Sequence, residues 1–168
     1  QMDATRGMQL AFAQMQSDSE HLVSSKDIQQ RQNLQADNEG MTLVRNVYNE
    51  NMPSQLQVVS YRIRDGVLQR RESMGTRDLI QLDMLWKTAT SNADSTPPVA
   101  LQSGVMSMQV ELFENNAWRA AAVRPPVVPG QGGQVAVWTP PPATGLRVSL
   151  LVQNQAVPMS KAFLLGGM

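Results

Sequence analysis

The chain has 168 residues, no formal net charge from 14 basic and 14 acidic residues, and no cysteine. That length suffices for one domain with its own core. The charge balance offers no global field to attract nucleic acid or anionic lipid, and the lack of thiols excludes disulfides, thiol chemistry and Cys-based zinc sites. Charged residues make up 17% of the chain, against roughly 25% in an ordinary soluble domain. Gln and Asn fill much of the polar surface instead, which suits a surface that meets other protein and equally a neutral solvated one.

The first expected element is an amphipathic helix from Ala4 to about Ser25. Met8, Phe12, Met15 and Leu22 recur at steps of three, four and seven, with Ala11 beside them, while Gln9, Gln16, Asp18 and Glu20 are placed elsewhere on the cylinder. This stripe reads first as the helix's own core face. A sharper reading lets part of it dock on a neighbouring subunit, with Met8, Phe12 and Met15 as the partner-binding candidates. Residues 26–40 are polar and weakly patterned and read as a connector, so the chain divides into a helical part, 1–40, and a β part, 41–168.

Beyond residue 40 the period changes to two. "MTLVRNVY" (41–48) alternates, and "LQVVSYRIRDGVLQRR" (56–71) reads as two strands joined at Asp65-Gly66, a pair that tolerates the positive φ angles of a type I′ turn. Such a turn pairs Arg64 with Val67, Ile63 with Leu68 and Tyr61 with Arg70. Val59, Tyr61 and Ile63 then share one face, and Ser60, Arg62 and Arg64 the other. "DLIQLDMLW" (78–86) places Ile80, Leu82, Met84 and Trp86 on one side and is expected to be a strand. In "SGVMSMQVELF" (103–113), Met106, Met108, Val110 and Leu112 are expected inward. "RPPVVPGQGGQ" (124–134) is a Pro- and Gly-rich excursion. "VAVW" (135–138), "LRVSLLVQ" (146–153) and "KAFLL" (161–165) complete the strands. A helix followed by antiparallel strands predicts an α+β architecture.

Groups able to do chemistry are few. His21 is the single histidine and reads as a helix surface residue, so a triad or metal site has little to build on. Asp18 and Glu20 lie two apart on a helix and point in different directions. Asp37 and Glu39 reach a calcium ion only with ligands the sequence does not identify. "PGQGGQ" neither follows a strand nor opens a helix, which makes it a poor phosphate loop. Arg62, Arg64, Arg70 and Arg71 cluster on the hairpin and read as a solvated strand face, or as a face for an acidic partner. Trp86, Trp118 and Trp138 read as core or corner residues before sugar-stacking platforms. No catalytic residue, cofactor site or metal site is assigned.

Four stretches are similar to a known family in the same order. "RGMQLAFAQMQSDSEHLV" (6–23), the hairpin 56–71, "LQSGVMSMQVELFENNAW" (101–118) and "PATGLRVSLLVQNQ" (142–155) resemble segments of the J-type minor pseudopilins of bacterial type II secretion systems. The stretch "RAAAVRPPVVPGQGGQ" after Trp118 departs from that family's tryptophan-rich pattern. The resemblance implies a pilin-like fold, with a long N-terminal amphipathic helix packed on antiparallel β-sheet. It implies a structural and assembly subunit rather than an enzyme, working at the tip of the pseudopilus to start the fibre and support protein export. Its partners would be the I-type and K-type minor pseudopilins, with contact to the secreted substrate left open and no nucleic acid. The chain begins Gln1-Met2 and enters a helical pattern at once, so a removed N-terminal segment is expected. By resemblance that segment is a methylated membrane helix, which makes this chain the periplasmic part of a single-pass inner-membrane protein of a Gram-negative bacterium. A minor pilin of a type IV pilus and a periplasmic carbohydrate-binding module are the alternatives. Membrane contact is expected only through the missing helix.

Overall fold

The computed structural model describes residues 2–38, 40–93, 96–121 and 143–166. Helix α1 (Met2–Glu20) leads through a short 3-10 turn (Ser25–Ile28) into strands β1 (Leu34–Ala36), β2 (Gly40–Val47), β3 (Gln55–Arg64) and β4 (Val67–Glu72). Helix α2 (Leu79–Thr90) follows, then β5 (Val99–Gln102), β6 (Val105–Glu114), β7 (Ala117–Ala120), β8 (Gly145–Val152) and β9 (Met159–Leu164). The excursion 124–134, the expected strand 135–138 with Trp138, and Glu39 lie outside the described residues.

The expected α+β, pilin-like architecture with a long N-terminal helix packed on a sheet is corrected. Strands outweigh helices among the described residues, in two antiparallel sheets, and the two helices are short. The first sheet runs β1-β2-β3-β4-β5 and the second β7-β6-β8-β9. Helix α1 ends at Glu20, short of the expected Ser25. Its inward side chains meet residues of both sheets in one core, with Met41, Leu43, Tyr61 and Leu68 from the first and Val105, Met108, Leu146 and Leu150 from the second. The Phe12 and Phe163 rings stand 6.4 Å apart, joining α1 to β9.

The hairpin forms as its sequence dictates. Arg64 faces Val67, Ile63 faces Leu68 and Tyr61 faces Arg70. Asp65 and Gly66 turn with φ of 53° and 76°, the left-handed pair that a type I′ turn needs. Strand β2 is buried on both faces, since Met41 and Leu43 enter the main core while Val44 joins a second cluster. The residues read as a polar connector carry part of this structure: Ile28 is fully buried, and Leu34–Ala36 adds the edge strand β1.

The second cluster requires a correction. The expected strand at 78–86 is helix α2, which covers the outer face of the first sheet. Leu82 and Ala89 are buried, Leu79, Leu85 and Trp86 partly so, while Ile80 is 70% exposed and Met84 67%. The spacing 79, 82, 86, 89 is helical. The local signal is the cap: the Asp78 carboxylate accepts from the Ile80 N–H at 2.9 Å, and Gln81 accepts from the Thr76 hydroxyl at 2.5 Å. Asp78→Ala removes this cap and is expected to lower stability by about 1 kcal/mol in urea unfolding.

Met106 is corrected as well. A register shift between Val105 and Ser107 turns Val105 and Met108 inward and leaves Met106 67% exposed. An extra residue in one strand reverses the side-chain alternation beyond it.

Candidate functional site

The sequence-predicted partner residues come together in the wrong place for docking. Met8, Phe12 and Met15 are 1%, 5% and 0% exposed and belong to the protein's own core, with Leu22 beside them. What α1 offers to solvent is its other side: Arg6, Gln9, Leu10, Ala13, Gln16 and Glu20, with Leu10 60% exposed.

Asp18 is also corrected, because it points inward and is fully buried. Its Oδ1 accepts from Arg45 Nη1 at 2.6 Å and from Arg70 Nη2 at 2.8 Å, while Oδ2 accepts from Arg70 Nε at 3.0 Å and from the Tyr61 hydroxyl. Arg70 in turn bonds Glu72 at 2.8 Å. One carboxylate of α1 is thus tied to β2, β3 and β4, and the four charges of Asp18, Arg45, Arg70 and Glu72 cancel. Sequence reading placed Arg70 on a solvated face. The register contains the signal it missed: Tyr61 faces inward with Val59, so Arg70 opposite it faces inward too. A buried guanidinium needs a carboxylate, and Asp18 lies on the same side of α1 as Ala11 and Met15.

Burial, and then the Asp18 charge, push the Tyr61 phenol well above the ordinary tyrosine range. The unfolded chain therefore releases that proton first. The stability Tyr61 contributes is full below the ordinary value of about 10 and is lost as pH rises above it. In an alkaline titration Tyr61 phenolate absorbance is expected only as the fold melts, and Tyr61→Phe should remove that step. With both oxygens occupied and no exposure, Asp18 is placed to hold the helix and has no access to a substrate.

Other singled-out residues lie apart from this network. His21 donates from Nδ1 to the Ser17 carbonyl at 2.8 Å and stands 6.1 Å from the Tyr48 ring. Trp86 packs against the second cluster. Trp118 packs on Phe113 at 5.2 Å, and the Arg147 guanidinium sits 4.4 Å from its ring centroid. Arg147 also holds Glu111 through bonds of 2.8 and 2.7 Å; these bonds keep the Glu111 carboxyl below the usual glutamate range. Among the described residues no group of three or more His, Cys, Asp or Glu is placed to hold a metal ion, and no helix is long and apolar enough to cross a membrane. No family model matches the chain, and no curated protein proved similar to it.

Proposed function

We propose that the chain is a minor pseudopilin, a structural and assembly subunit of the type II secretion pseudopilus tip that acts by binding other subunits rather than by catalysis. The four stretches that resemble the J-type family support this reading in chain order. The first covers α1 and the turn after it, the second is the β3–β4 hairpin, the third runs from β5 into β7, and the fourth contains β8. The hairpin carries the proposal, because its arginine-flanked strand, tight turn, then a leucine and two basic residues are the pattern that resembles the family's central hairpin. The partners are the I-type and K-type minor pseudopilins. The chain is placed by this reading on the periplasmic side of the inner membrane.

With Met8, Phe12 and Met15 in the core, docking through α1 falls to its outer side. The chain has no cysteine, so Leu10→Cys introduces a single thiol at an exposed position. Oxidative crosslinking in secreting cells is expected to join it to a cysteine placed along the helix of an I-type or K-type subunit. Monomer alone at Leu10, Ala13 and Gln16 in turn would count against this face.

A further inference from the structure

A groove of about 390 Å³ lies where the end of the β3–β4 hairpin meets β6, lined by Asn38, Arg62, Ile63, Arg64, Asn92, Met106 and Ser107. Its lining is rich in donors: two guanidiniums, two amides and a hydroxyl, with no acid among the described lining residues. Arg64 Nη2 and Arg62 Nε both donate to Asn92 Oδ1, at 3.2 and 3.4 Å. Arg62 is held further by Thr42 Oγ1 at 2.8 Å and the Tyr61 carbonyl at 3.0 Å, which fixes it as part of the wall. Arg64 is bound there by this one neutral acceptor, and among the described residues it meets no carboxylate.

We infer that this groove takes an acidic segment of a protein partner, whose carboxylate binds Arg64 and whose neighbouring apolar side chain rests on Met106. An incoming carboxylate competes with the Asn92 amide oxygen, and unlike that single oxygen it can bind the guanidinium bidentately and neutralise its charge. Met106 gives a second, independent observation. The register shift turns this large side chain outward at the groove's rim, and bulges of this kind re-aim side chains at functional edges. A thioether adapts its shape to a partner. The groove is open rather than enclosed, which favours a chain segment over a sequestered small molecule. The inference deepens the assembly reading and rests on it for the partner's being a protein.

The test uses amide and methyl NMR of the whole chain titrated with the peptide acetyl-Gly-Glu-Leu-Gly-amide, its glutamine analogue and inorganic phosphate. The glutamate peptide is expected to shift Arg64, Asn92, Met106 and Ser107 at about 1 mM, the affinity of a single charged anchor. Arg64→Gln should weaken it about tenfold and Met106→Ser, at an exposed position, several-fold; added salt should weaken it too. Equal binding of the glutamine analogue, equal binding of phosphate, or no shift in the groove would each overturn the inference. A subunit complex that ignores Arg64→Gln sinks the groove but spares the assembly reading. Peptide binding with no subunit complex does the reverse.

Discussion

Asp18→Asn is expected to lower the unfolding free energy by about 3–5 kcal/mol, read from urea unfolding followed by circular dichroism. The amide keeps the shape of the carboxylate but leaves Arg70, whose side chain is 9% exposed, beside a neutral group. Burying a guanidinium is tolerable only because the carboxylate and its hydrogen bonds offset the loss of hydration. The double variant Asp18→Leu/Arg70→Met removes both charges together and should recover much of that loss, since a buried ion pair is often replaceable by apolar groups of similar volume. If the double variant is as unstable as the sum of its singles, the two groups are not coupled and Asp18 does not fasten α1 as described.

Phe12→Asp is expected to give a chain that does not fold. Truncation of the ring alone, Phe12→Ala, should cost about 3–5 kcal/mol, a large part of the 5–15 kcal/mol that holds a typical domain. The aspartate adds a charge at a 5% exposed position with no described partner, between α1 and Phe163. Two residues earlier, Leu10→Asp faces solvent and should stay within about 0.5 kcal/mol of the parent. This pair of thermal melts separates the two sides of α1. A folded Phe12→Asp protein would mean that the stripe is a surface after all.

Local elements were the legible part of the sequence. The hairpin 56–71 needs only an alternating pattern and a turn pair that accepts positive φ, and both are written within sixteen residues. The α1 stripe was legible for the same reason, since Met8, Ala11, Phe12 and Met15 repeat at helical steps. Its placement was harder, because a stripe looks the same whether it meets its own sheets or another subunit. Helix α2 was misread because 80, 82, 84, 86 and 79, 82, 86, 89 are both apolar series in one segment. Only the capping chemistry of Thr76, Asp78 and Gln81 separates them.

The two-sheet architecture depended on pairings between distant strands, such as β6 with β8, that no local pattern encodes. Met106 was misassigned because a bulge leaves no mark on the alternation before it. The Asp18 network was half legible. The hairpin register turned Arg70 inward, but matching it to an acid 52 residues earlier required knowing where α1 lies. For the docking candidates a stripe of apolar residues gave no such guidance: Met8, Phe12 and Met15 lie in the protein's own core.

The most direct test of the assembly role is multi-angle light scattering on this chain mixed with the soluble domain of an I-type minor pseudopilin, and then with the K-type domain added. A 1:1 complex, lost in Gln16→Lys while the circular dichroism spectrum is unchanged, is the predicted result. Monomers throughout, with both partners folded, would contradict it.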